Sequence, residues 1–161
     1  MKRRIFIQNT ILGVTGLSIS SLTLACSKKE VILNEIIGRS EEELISFNKE
    51  GNSDFSYYTI PYAAFSHPLV SGRETFIFCK ESSIVGYTVK KENTDDVEAI
   101  FEKLNELYGD SKLIYENDFG YKYEWSTESR LYALTYTKAY PNLPQNSFYS
   151  EAVLKNELIV F

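Results

Sequence analysis

Ser66, His67 and Cys79 are the side chains of this sequence whose types could carry nucleophilic chemistry. His67 is the only histidine, so any Ser-His-acid or Cys-His relay has to use it. A relay needs the imidazole within hydrogen-bond reach of the nucleophile and oriented by a third group. Adjacent residues do not give that geometry by themselves, and no Gly-x-Ser-x-Gly elbow occurs. The plainer reading of His67 is a loop residue ahead of Pro68. Cys79 ends the hydrophobic run Thr75-Phe76-Ile77-Phe78-Cys79. A buried cysteine behaves as a small hydrophobe, and nothing near it in sequence would lower its pKa. A zinc site would need several carboxylates beside one histidine and one inner cysteine. Asn93, Asp95 and Asp96, and the pair Asn117 and Asp118, lack the ligand spacing of a calcium loop. They read as a helix cap and a turn. The sequence therefore offers no catalytic set, no metal site and no cofactor. A small hydrolase using Ser66, His67 or Cys79 stays open as the enzymatic alternative.

Aromatic rings are the more promising surface. Tyr121, Tyr123 and Trp125 alternate with Lys122 and Glu124, so the three rings share one face of a strand. Tyr132, Leu134 and Tyr136 do the same on the next strand. These rings form either the core beneath a helix or an open platform. A platform would suit a carbohydrate or protein partner, because Tyr and Trp bury area while keeping a polar handle. Asp95, Glu98, Glu102 and Glu106 make an acidic stripe. It reads as a solvated helix face or as a dock for a basic partner.

The elements that must position these groups follow from periodicity. Ser40-Glu41-Glu42-Glu43 has the form of a capping box, and Gly51 supplies a stop, which predicts a first helix near 41–50. Leu44, Ile45 and Phe47 would be its buried stripe. Val97, Ile100, Phe101, Leu104, Leu107 and Tyr108 fall on one apolar face and predict a second helix, capped by Asn93 or Thr94 and ended by Gly109. Strands are predicted at Phe55 to Pro61, Glu74 to Lys80, Ile84 to Lys91, Leu113 to Glu116, Tyr121 to Trp125, Leu131 to Thr137 and Phe148 to Leu154. A closing hairpin around Lys155-Asn156 returns through Leu158 to Phe161. Neighbouring strands this close pair as hairpins, so the expected class is α+β: an antiparallel sheet or sheets with two helices packed on one side. Placing Ser40-Glu41-Glu42 on Thr94-Asp95-Asp96 also brings Phe47 onto Phe101 and Lys49 onto Lys103. That offset of 54 suggests a tandem α-βββ repeat.

The N-terminus says where the chain goes. Lys2-Arg3-Arg4 is a positive start, and the stretch to Ala25 is apolar but diluted by Ser, Thr, Asn and Gly. This pattern is a secretory signal peptide, being shorter than the roughly 20 apolar residues of a span. Leu22-Thr23-Leu24-Ala25-Cys26 resembles the lipobox of bacterial lipoproteins, which implies diacylation of Cys26 as the first residue of the processed chain. Arg3-Arg4-Ile5-Phe6 resembles a twin-arginine export signal. The expected organisation is a signal at 1–25, a lipidated Cys and tether at 26–36, and one α+β domain at 37–161. The expected location is the bacterial cell envelope, on its periplasmic or outer face, held to the membrane by the N-terminal lipid.

Removing the first 25 of 161 residues leaves 136, enough for a real core, and takes away three positive charges and no acids, so the net charge of −5 becomes −8. That charge does not suit nucleic acid. With Cys26 acylated, Cys79 has no disulfide partner. The layout is loosely similar to the β-lactamase inhibitor protein family and to small envelope lipoproteins with helices on a sheet. The expected function is a non-catalytic binding or scaffolding module. The resemblance in layout implies, as an alternative, an inhibitor or immunity-type module against an exported enzyme.

Overall fold

A computed structural model of the chain describes residues 30–93 and 97–153. The export signal with Arg3, Arg4 and Phe6, the lipid site Cys26, the capping residues 94–96 and the returning segment Leu158 to Phe161 lie outside the described residues.

The chain runs through β1 (Val31–Ile32), a 3-10 turn (Leu33–Glu35), a second 3-10 turn (Glu41–Leu44), β2 (Asn48–Gly51), β3 (Phe55–Pro61), β4 (Phe65–Ser66), β5 (Glu74–Lys80) and β6 (Ser83–Glu92). It continues through α1 (Val97–Tyr108), β7 (Lys112–Asn117), β8 (Gly120–Ser126), β9 (Arg130–Thr137) and β10 (Asn146–Val153). Eight strands form one sheet in the order β2-β3-β5-β6-β10-β9-β8-β7, with every neighbour antiparallel. Two four-stranded meanders thus meet where β6 pairs with β10. β1 and β4 make a short parallel pair.

The expectation of two helices packed on one side is corrected here. Among the described residues there is one α-helix, α1. Ser40 does cap, its hydroxyl accepting from the Glu42 amide at 3.2 Å, but the turn it starts is 3-10 and stops at Leu44. Only Leu44 of the expected stripe is buried, while Ile45 is 84% exposed. Glu43 bonds Arg39 at 3.4 Å, its neighbour four residues back. The segment that should continue the helix is instead β2, where Lys49 faces Tyr58 across the ladder and its ammonium meets Glu41 at 2.6 Å. One buried leucine in a short segment is too little to hold an isolated helix, and a sheet edge offered four residues a backbone partner. The tandem repeat at offset 54 fails for the same reason. Phe101 and Lys103 are helical, whereas Phe47 follows the 3-10 turn and Lys49 is in β2.

Helix α1 lies over the β8–β9–β10 side of the sheet. Val97, Ile100 and Leu104 are buried, and Phe101 and Tyr108 pack against the same core. Leu107, expected in the stripe, is exposed. Under the other half, Val31, Leu33, Ile36, Leu44, Phe65 and Val70 cover Tyr58, Ile60, Ile77 and Tyr87 on the same sheet face. Among the described residues no helix lies on the opposite face.

Candidate functional site

Register brings three distant residues side by side. Tyr87 of β6 stands opposite Glu151 of β10, and Glu151 stands opposite Tyr132 of β9. Directly opposed side chains on one face are about 5 Å apart at Cβ. The Tyr87 hydroxyl donates to Glu151 Oε2, and Arg130, at the start of β9, donates from Nη1 to Glu151 Oε1. Glu151 is only 5% exposed. A carboxylate that far from water is tolerated because both oxygens are engaged and the charge is paired. Burial pushes the hydroxyls of Tyr87, Tyr149 and Tyr132 up from the ordinary tyrosine range, so all three stay protonated and able to donate.

The His67 ring closes one wall. Its Nδ1 accepts the amides of Leu69 at 3.1 Å and Val70 at 3.3 Å, so the neutral ring carries its proton on Nε2. Its ring packs on Tyr149 (5.0 Å between centroids) and Tyr87 (5.9 Å). Burial lowers its pKa from 6.5 to about 4. The opposite wall is the end of α1, where Tyr108 stacks on Tyr132 at 3.9 Å. Asn34, His67, Leu69, Leu107, Tyr108, Arg130, Tyr132 and Glu151 surround a cleft of about 500 Å³, the size that holds a small ligand. Beside it, the Tyr149 hydroxyl is buried with no completed hydrogen bond, although Tyr87's hydroxyl is close enough to influence it. The cleft thus joins a ring pair to donors and acceptors of balanced charge.

Ser66, His67 and Cys79 do not assemble into a relay. The only acceptor nitrogen of His67 is taken by two backbone amides. Cys79 is buried opposite Ser56 on β3, and burial pushes its thiol up to about 12, which keeps it un-ionised. Among the described residues no group of three or more His, Cys, Asp or Glu could hold a metal. Asn117 works as a turn residue, its Oδ1 accepting from Phe119 and Gly120. Gly120 is required there: a Cβ would sit 1.9 Å from the Tyr136 carbonyl oxygen.

The five candidate rings face α1 and do not form an open platform. Trp125 is buried and its Nε1 donates to Asn105 of the helix at 2.9 Å. Phe101 packs on Tyr123 at 4.7 Å and on Trp125 at 5.7 Å. Tyr121 stacks on Tyr136 at 5.1 Å, both half-buried at the rim. Tyr132 alone of the five lines the cleft. The acids Glu98, Glu102 and Glu106 are exposed along the helix.

Local spacing does not single out Arg130, Tyr87 or Tyr149. One signal was present: Glu151 falls on the same strand face as Tyr149, an acid on the ring side of an otherwise apolar alternation.

The face opposite α1 carries a second ring set. Phe55, Tyr57, Phe76, Phe78 and Phe148, with Thr88, line an apolar trough of about 370 Å³. Phe78 is buried with Val85 and Ala152, and Phe55 stacks on it at 6.2 Å.

No described helix is long and apolar enough to cross a membrane. Compared with family models, curated proteins and solved structures, the chain matches none.

Proposed function

We propose that the chain is an exported, lipid-anchored module that binds a small polar ligand in the Glu151 cleft and performs no chemistry on it. The observation that carries this reading is the buried Glu151–Arg130 pair beside the stacked Tyr108–Tyr132 rings, all lining one open cleft. The pair is neutral overall, which favours an uncharged ligand. A sugar ring matches the set, with its apolar face against a tyrosine ring and its hydroxyls toward Arg130, Glu151 and Asn34. The anchor is Cys26, supported by Leu22-Thr23-Leu24-Ala25-Cys26, and the export route is supported by Arg3-Arg4-Ile5-Phe6.

Ligand and anchor are tested separately. Neutral mono- and disaccharides are titrated while melting is followed. At least one is expected to raise the melting temperature in a saturable way, and Arg130→Gln is expected to abolish that shift. A flat response across the panel, or a shift that survives Arg130→Gln, rejects the cleft as a sugar site. Cys26→Ser is expected to release the protein from the membrane fraction or leave it unprocessed, and Arg3→Lys with Arg4→Lys to hold folded precursor in the cytoplasm. Normal processing and retention of the first variant rejects the lipid anchor, and normal export of the second rejects the twin-arginine route.

A further inference from the structure

The two ends of the eight-stranded sheet carry different chemistry. At one end lie the connections β2–β3, β5–β6, α1–β7 and β8–β9. Each presents an exposed acid, in turn Asp54, Glu81, Asp110 and Glu128. At the other end, the turns after β3, between β7 and β8 and between β9 and β10 present Tyr62, Phe119, Tyr140 and Leu143. All four are more than half exposed. Single exposed hydrophobes need no explanation, but three of these form one patch across two connections. The rings of Phe119 and Tyr140 lie 5.8 Å apart, the Lys138 amide donates to the Phe119 carbonyl at 2.8 Å, and Tyr140 and Leu143 close a turn on each other. The charges beside the patch, Asp118 and Lys138, are of opposite sign.

The described chain enters from the apolar end. The Val31 amide donates to the Ala64 carbonyl at 2.9 Å, two residues past Tyr62, and the chain then runs to Ser40, which bridges Ser83 at the acidic end. Glu30 is four residues from Cys26, at most about 14 Å when fully extended. A lipid on Cys26 thus holds the apolar end of the domain beside the bilayer. The acidic end is a strand length away, about 23 Å along β9 from Thr137 to Arg130, and its carboxylates are repelled by anionic headgroups.

We propose that Phe119, Tyr140 and Leu143 enter the interface of the lipid bilayer that holds Cys26, with the Arg130 wall of the cleft turned away from the membrane. This rests on the lipid anchor proposed above and not on the sugar. A link this short leaves the domain free to tilt until its apolar patch meets the interface. Rings suit that depth, because tyrosine buries its apolar body and keeps its hydroxyl among the headgroups. The occupant is a bilayer and not a second copy, because the link brings the bilayer to this end of the fold at a fixed short range.

The test uses the protein as the cell processes it, reconstituted in phosphatidylcholine vesicles whose lipids carry a nitroxide near the headgroup. Cys79 is buried, so a surface cysteine takes the environment-sensitive label. Ala139→Cys reports the apolar end and Glu128→Cys the acidic end. Flotation with the vesicles is read first. The label at 139 is expected to lose about half of its emission or more, whereas the label at 128, about 23 Å further along the sheet, keeps its emission. Phe119→Ser, Tyr140→Ser and Leu143→Ser together are expected to abolish the loss at 139 while flotation persists. These side chains are exposed, and Trp125 emission checks that the variant is folded. A protein that does not float rejects the anchor and this inference with it. Flotation without quenching at 139, or quenching that survives the triple replacement, overturns this inference alone and leaves the anchor standing. A label shielded from water but not quenched assigns the patch to a second copy and also overturns it.

Discussion

Tyr121, Tyr123, Trp125, Tyr132 and Tyr136 line one face of the sheet, and Phe55, Tyr57, Phe76, Phe78 and Phe148 line the other. The first set is locked under α1: Phe101 sits on two of its rings, Tyr108 on a third, and Asn105 takes the indole proton of Trp125. Among the described residues no α-helix lies on the second set, which forms a trough. Composition does not separate the two, since both are strands of alternating rings. What separates them is which side the connection β6–α1–β7 and the segment before β2 pass over. A ring row is core where another element lies on it and interface where none does. Polar chemistry is divided differently. The covered face keeps its paired carboxylate at the margin of α1, where the helix ends and a cleft begins.

The contrast can be broken most severely through the helix. Leu104 is fully buried at the centre of the α1 stripe. Leu104→Ala is expected to cost about 2–5 kcal/mol in urea denaturation, the range for a truncated core leucine. A loss below about 1 kcal/mol would mean that α1 does not seal this face.

Acid comes next. His67 has a folded pKa of about 4 against an ordinary 6.5, so it folds in its neutral form. Its contribution is complete above pH 6.5 and is lost as pH falls through 4, to at most about 3 kcal/mol. His67→Asn keeps an acceptor for the Leu69 and Val70 amides and has no proton to gain. Stability measured from pH 7 to pH 4 should fall less in that variant than in the parent. Identical slopes would place the acid sensitivity elsewhere.

Asn105→Ala sharpens the comparison at a single bond. It leaves the buried Trp125 Nε1 without a partner and is expected to cost about 1–3 kcal/mol. The same measurement, followed by the emission of the one tryptophan, also reads the loosening of the helix over its ring.

The smallest effect is expected on the open side. Tyr57 is half-buried, its hydroxyl donating to exposed Glu50. Tyr57→Ser should cost about 1 kcal/mol or less. A cost as large as that of Leu104→Ala would show the two faces to be equally covered.

Several elements were legible without any structure. The strands β3 (Phe55–Pro61) and β5 (Glu74–Lys80) have the expected bounds, and β6, β8 and β9 fall within a residue of theirs. Period-two alternation over seven or more residues is a strong signal. So is the 3.6-residue period that placed α1. The short stretch 41–50 misled. Its Ser40 cap is real, but a cap marks where a turn begins and not how far it runs, and β2 formed because β3 presented an open edge. The lone histidine ahead of Pro68 is a loop residue, as its position suggests. Its packing against Tyr87 and Tyr149 was invisible because those partners lie 20 and 82 positions away.

The sequence by itself determined the alternation of the strands, the register of α1's apolar stripe and which side chains share a face. Those are properties of residues within a few positions of one another, set by side-chain direction and local hydrogen bonding. Only the tertiary structure decided the strand order that pairs β6 with β10, the meeting of Tyr87, Arg130 and Glu151, and which of two ring-bearing faces the helix covers. Each of those depends on bringing distant parts of the chain together, and the energy that selects among them comes from burial and pairing that exist only once the sheet has closed.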